Sequence, residues 1–150
     1  MWNSVKSLRL SSIFTKMVML LVIAFAIALP VFKVRVLMIR GLIFGESEIN
    51  YVIAIIYICC LLALVALFFL NQLLANIRMG IVFEEKNVKI LRRISWCCFF
   101  VALVLAVGLI FSMVFLFLSV MAGFVGLILR VVKNVFEAAV ELKAENDFTI

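Results

Sequence analysis

The chain has 150 residues, of which 69% are hydrophobic and 15% charged, and its formal net charge is +6. A soluble domain of this length cannot bury so much apolar surface, so the composition excludes an ordinary soluble globular protein. We predict an all-α fold, an integral membrane bundle of four transmembrane helices with cytoplasmic amphipathic extensions.

The first predicted span covers residues 17–36 and the second covers residues 51–72. Each supplies the stretch of about 20 mostly apolar residues that is needed to cross roughly 30 Å of hydrocarbon. The basic start, the apolar run and the small residues Ala24, Ala26 and Ala28 also resemble a secretory signal. Because the apolar run continues through Pro30, we expect an uncleaved first span, and cleavage would leave the rest of the topology unchanged.

Residues 84–95, between the second and third apolar runs, are rich in charge. At about 100° per residue their apolar members fall on one side of a helix and their bases on the other. This pattern predicts an amphipathic basic helix that runs into the third span, with Trp96 at the membrane interface. The bases proposed to bind a partner or lipid headgroups are Lys86, Lys89, Arg92 and Arg93.

The third apolar run, residues 96–129, is too long for one crossing. As a single helix it would measure about 50 Å, which even a steep tilt hardly accommodates. We therefore predict spans at residues 96–112 and 115–133, joined by a tight turn near residues 112–115. The alternative is one long helix and three spans in all.

The last span contains small residues four positions apart. In lipid such faces let helices approach closely, because apolar burial alone does not drive helices together there. We expect this face to build the bundle itself, and a homodimer contact is the alternative. Its members are Ser119, Ala122, Gly123 and Gly126.

A second amphipathic helix is predicted over residues 131–146, as a continuation of the fourth span. Its acidic residues recur at i+4, where like charges repel slightly, so we expect something basic to face them. The basic helix of the same molecule is one candidate, and a partner protein is the other. The acidic residues proposed for partner binding are Glu137, Glu141, Glu145 and Asp147.

The basic residues are distributed unequally between the two sides of the four-span topology. Of the 14 Lys and Arg residues, three lie in the loop after the first span and eleven lie on the other side. Because Lys and Arg are enriched in inner loops, this bias predicts that both termini are cytoplasmic. The three outer bases are Lys33, Arg35 and Arg40.

The sequence carries no pattern typical of a catalytic or metal site. It contains no His, no ionisable residue at mid-membrane, and no paired carboxylates, nucleophile triad or phosphate-binding glycine loop. The cysteine pairs Cys59-Cys60 and Cys97-Cys98 lie at different predicted depths, so we expect packing residues and not a disulfide or metal site. We predict a protein that is not an enzyme and binds no cofactor.

Two stretches of the sequence resemble a known family. FEEKNVKILRRISW (residues 83–96) and VFEAAVELKAENDFTI (residues 135–150) are similar in order and spacing to small bacterial four-span membrane proteins, domain of unknown function 2975 (DUF2975). The likeness covers the whole chain, although Phe148 stands where Leu would be usual. The resemblance implies a bacterial inner membrane protein, and a gene typically placed beside one for a small helix-turn-helix DNA-binding protein.

Two functional hypotheses follow. In the first, the protein is a membrane sensor or sequestering partner whose charged cytoplasmic face binds a small helix-turn-helix regulator, while the spans contact membrane lipids and nucleic acid is not bound directly. In the second, it is a small transport, channel or immunity protein that acts within the bilayer.

Overall fold

A computed structural model of the protein describes residues 4–40 and 46–148, with side chains described over residues 7–32 and 48–146. Over these residues the chain forms four long α-helices, which confirms the predicted all-α bundle. All four are long and apolar enough to cross a membrane. The helices are α1 (Ser4–Arg40), α2 (Glu46–Arg78), α3 (Glu85–Val107) and α4 (Met113–Phe148), and a short 3₁₀ helix, Gly108–Ile110, follows α3.

The helices are longer than the apolar segments from which the spans are predicted. The basic segment and the third span form one helix, α3, and the fourth span and the acidic segment form another, α4. The 36 residues of α4 would measure about 54 Å at the α-helical rise, well above the roughly 30 Å of hydrocarbon. The helix α4 is therefore longer than one crossing of the membrane requires.

The principal packing of the described residues runs between helices that are neighbours in the chain. The most extensive contact joins α3 and α4, α2 packs on α3, and α1 packs on α2. The buried cluster lies between α2 and α3, near the charged segment. It consists of Leu73, Ile90, Leu91 and Ile94, with Phe136 of α4 packed against it.

The turn between α3 and α4 lies at residues 108–112, earlier than the predicted 112–115. Glycine is needed at its start, because a Cβ atom on Gly108 would lie 2.7 Å from Cγ of Phe115. The carbonyl of Gly108 accepts a hydrogen bond from the Phe111 amide at 2.9 Å. Ser112 then caps the N-terminus of α4, since its hydroxyl accepts a hydrogen bond from the Val114 amide at 3.3 Å.

Pro30 lies inside α1 and removes one backbone donor from the helix. The carbonyl left without its helical donor is that of Ala26, four residues earlier. It accepts a hydrogen bond from the Tyr57 hydroxyl of α2 at 3.1 Å. Proline is tolerated here because a neighbouring helix satisfies the carbonyl that it frees.

Candidate functional site at the charged end of the bundle

The charged end of the molecule comprises the α2–α3 connection, the first turns of α3 and the part of α4 from Arg130 onward. The connection begins where Gly80 adopts a left-handed backbone, with φ +80°. The amide of Ile81 donates to the Asn76 carbonyl and the amide of Gly80 donates to that of Ile77, both at 3.1 Å. These bonds form a Schellman motif, which ends α2 and turns the chain toward α3.

Asn87 fixes this connection against the first turn of α3, and its side chain is fully buried. Its amide nitrogen donates to the carbonyls of Ile81 (2.7 Å) and Val82 (2.8 Å). Its amide oxygen accepts from the buried Asn76 of α2 at 2.8 Å. Reasoning from the sequence missed this role, although the position of Asn87 inside the apolar arc of the basic helix was an available signal.

The first turns of α3 are amphipathic in the way that the periodicity predicts. The apolar residues Val88, Ile90, Leu91 and Ile94 are each at most 5% exposed, whereas all four predicted basic residues are exposed. Lys89 forms an exposed ion pair with Glu85 at 3.4 Å. The Arg93 guanidinium lies 5.4 Å from the ring centroid of Phe69, a cation–π contact that ties this face of α3 to α2.

The acidic row of α4 meets the basic helix at Glu137. Its carboxylate lies 3.3 Å from Arg92 of α3 and 2.6 Å from Lys133 one turn earlier in α4. The hydrogen bond from Lys133, together with the charges of Lys133 and Arg92, holds the pKa of Glu137 below its ordinary value. Glu141 and Glu145 are exposed, and the side chain of Asp147 lies outside the described residues.

A groove of about 280 Å³ lies between α3 and α4 at this end. Val88 and Val140 give it an apolar lining, and charged residues of both signs complete it: Glu85, Lys89, Arg92, Glu137 and Glu141. The structure thus brings four of the predicted partner-binding bases and acids to one groove: Lys89, Arg92, Glu137 and Glu141. Lys86 and Arg93 do not line it.

The small residues of α4 lie against α3 of the same chain. The Ser119 hydroxyl donates to the Ala102 carbonyl at 2.8 Å, and the Ser95 hydroxyl donates to the buried Gly126 carbonyl at 2.9 Å. A Cβ atom on Gly123 would contact Ala102 at 3.8 Å, and Ala122 is half-buried. This face therefore packs within the α3–α4 hairpin, as expected, and a homodimer contact on it stays a prediction.

Four membrane-length helices and one charged end define a multi-pass α-helical membrane protein. The chain belongs to the family described as "Protein of unknown function (DUF2975)", whose model matches residues 2–150. The predicted resemblance is therefore confirmed over essentially the whole chain. Comparisons with curated proteins and with solved structures give no match.

Proposed function

We propose that this protein is a non-enzymatic component of the bacterial inner membrane that holds a small helix-turn-helix transcription regulator at its charged end. The observation that supports this proposal is the groove between α3 and α4, formed where both helices extend beyond their apolar runs. A regulator is proposed as the partner because of the family resemblance, since members of that family are typically encoded beside such a protein.

The chemistry of the groove suits a partner helix or loop with a basic surface. Val140 is half-buried and offers an apolar contact beside the buried Val88, while Glu141 is exposed and lies at the same groove. Glu137 is already paired with Arg92 and Lys133, so Glu141 is the acid placed to attract a base of the partner. A DNA-binding regulator uses basic residues on phosphates, and docking here would compete with DNA for them.

The same helices offer a path from the membrane to the docking surface. Because α3 is continuous from Glu85 to Val107, a shift of its apolar part would move the groove as well. The Asn87 hydrogen bonds tie the start of α3 to the end of α2. A change in membrane state or a small apolar ligand between the spans would then alter retention of the regulator.

The test is co-expression of the protein with the helix-turn-helix regulator encoded beside it, followed by measurement of the regulator in the membrane fraction. We expect the wild type to retain the regulator and Glu141→Lys to reduce retention about tenfold, equivalent to about 1.4 kcal/mol. The matched control is Glu84→Lys, which makes the same charge change at an exposed residue outside the groove.

Salt provides a second measurement, because exposed charges are screened beyond about 8–10 Å at physiological ionic strength. Retention should fall as salt rises in the wild type and depend less on salt in Glu141→Lys. Equal retention by wild type and Glu141→Lys would contradict the assignment of the groove. A regulator that stays soluble with the wild type would contradict the proposed function, and solute flux in vesicles would then test the bilayer-acting alternative.

A further inference from the structure

We infer that a second groove, nearer the apolar spans, binds the phosphate of an anionic phospholipid headgroup. This groove has a volume of about 260 Å³ and lies between α3 and α4. Its lining consists of Arg92, Ser95, Trp96, Arg130 and Lys133. The inference goes beyond the proposed function, since it requires no regulator and no particular orientation of the protein in the membrane.

The register of the hairpin brings the basic residues of two helices to one level. The Ser95 hydroxyl bonds the Gly126 carbonyl at 2.9 Å, which aligns these two positions across the helix pair. Arg92 lies about one turn from Ser95, and Arg130 lies about one turn beyond Gly126, both toward the charged end. Lys133 follows on α4, so the cations converge from both sides of the groove.

The charges in this groove do not balance within the described part of the chain. Glu137 pairs with both Arg92 and Lys133, whereas Arg130 has no ion pair among the described residues. Three bases and one acid leave two positive charges. Arg130 is exposed, so a headgroup phosphate can reach it, and a bound anion would offset this excess positive charge.

Trp96 places the groove at the depth of lipid headgroups. Its ring packs on Phe99 and Phe100, with centroids at 6.3 and 6.0 Å, where α3 becomes apolar. It is nevertheless 50% exposed, and its indole offers a hydrogen-bond donor. Amphipathic aromatic residues of this kind settle at the membrane interface, where lipid phosphates lie.

An exposed apolar stripe leads from the groove down α3. Trp96, Phe100, Leu103 and Val107 recur at helical spacing, and each is at least 50% exposed. A phospholipid bound through its phosphate could lay an acyl chain along this stripe. Free phosphate would gain nothing from it, and this difference favours a lipid as the occupant.

The donor types also favour a phosphate with net negative charge. Guanidinium groups such as those of Arg92 and Arg130 bind phosphate oxygens through paired hydrogen bonds. The two excess positive charges would repel the ammonium group of a zwitterionic lipid. Basic pockets between transmembrane helices are known to take anionic headgroups, so we expect phosphatidylglycerol to bind in preference to phosphatidylethanolamine.

The test uses the full-length protein with Trp2→Phe, which leaves Trp96 as the fluorophore. It is reconstituted in phosphatidylethanolamine vesicles that contain a small fraction of phosphatidylglycerol with brominated acyl chains. Selective binding beside Trp96 should quench its fluorescence more than the same fraction of brominated phosphatidylethanolamine does. Arg130→Gln should weaken this preference about fivefold, the effect expected for one base near an anionic surface.

Arg78→Gln is the matched control, because it removes the same charge at the end of α2, outside the groove. Its quenching should equal that of the parent protein, and unchanged thermal unfolding should show that both variants fold. If Arg130→Gln and Arg78→Gln reduced the preference for phosphatidylglycerol equally, the attraction would be diffuse and not confined to this groove. That result would overturn the inference. Relief of quenching by inorganic phosphate, but not by chloride at equal ionic strength, would identify a free-phosphate site and also overturn it.

Discussion

At the scale of single residues, the pairing of Pro30 with Tyr57 shows how a helix-breaking residue is accommodated in an apolar span. The Ala26 carbonyl has lost its helical donor and receives the Tyr57 hydroxyl at 3.1 Å instead. In hydrocarbon no water can replace that donor. The hydrogen bond therefore has a stabilising role that depends on the proline.

We predict that Tyr57→Phe lowers the free energy of unfolding by about 0.6 kcal/mol and by no more than about 1.7, the range for interhelical hydrogen bonds in membranes. In a Pro30→Ala background the cost should largely disappear, because the backbone amide at position 30 then donates to the Ala26 carbonyl. The measurement is a double-mutant cycle of unfolding in detergent.

Tyr51→Phe is the control for this cycle. Tyr51 is 64% exposed, and its ring stacks on Phe111 at 6.3 Å, so loss of its hydroxyl should not depend on Pro30. An equal cost of Tyr57→Phe with and without Pro30 would show that the hydroxyl does not compensate for the missing donor.

At the scale of elements, the α3–α4 hairpin contains three glycines that differ in the space around them. A Cβ atom would lie 3.8 Å from Ala102 at Gly123, 3.2 Å from the Phe99 ring at Gly126, and 2.7 Å from the Phe115 ring at Gly108. The backbone at Gly108 is right-handed, with φ −66°, so alanine meets a steric obstacle there and no backbone strain. The space around each glycine should therefore determine the order of stability of the three alanine variants.

We predict that Gly123→Ala leaves stability unchanged or raises it by about 0.5–1 kcal/mol, since alanine is the better helix former. Gly126→Ala should lose that gain, because Phe99 and Cys98 must move by a few tenths of an ångström. Gly108→Ala should cost about 1–3 kcal/mol, the usual effect of overpacking. Thermal and denaturant unfolding in one detergent would measure the series, and a stability of Gly108→Ala above that of Gly123→Ala would contradict the described packing.

The periodicity within each element was readable from the sequence, whereas the register between elements was not. Helical spacing predicted the buried arc of Val88, Ile90, Leu91 and Ile94, because that arc depends on α3 alone. The turn at Gly108 depends on where Phe115 of the next helix lies, and the choice of Arg92 as the partner of Glu137 depends on how α3 and α4 align. The groove around Arg130 was missed for the same reason, since its bases come from two helices.

At the scale of the whole molecule, the four helices have two different regions, the exposed apolar spans and the charged end. Most of the large exposed apolar side chains lie along the spans, where lipid can cover them. A buried apolar cluster that includes Leu73 and Ile90 lies near the charged end instead. The charged end thus combines a buried apolar cluster with exposed charges, which suits the proposed recognition surface.

An even number of spans places both termini on one side of the membrane, and the distribution of bases predicts which side. Eleven of the 14 Lys and Arg residues accompany the termini and the α2–α3 connection, so these parts should remain in the cytoplasm. We expect reporters fused at Ser4 and Ile150 to behave as cytoplasmic and one inserted near Glu46 as external, measured with a paired set active on opposite sides. Termini on opposite sides would show an odd number of spans and contradict the four-span topology. If both termini were outside, the four spans would stand, but the bases would not set the orientation. The regulator-binding proposal would then fail, because its groove would face away from the cytoplasm.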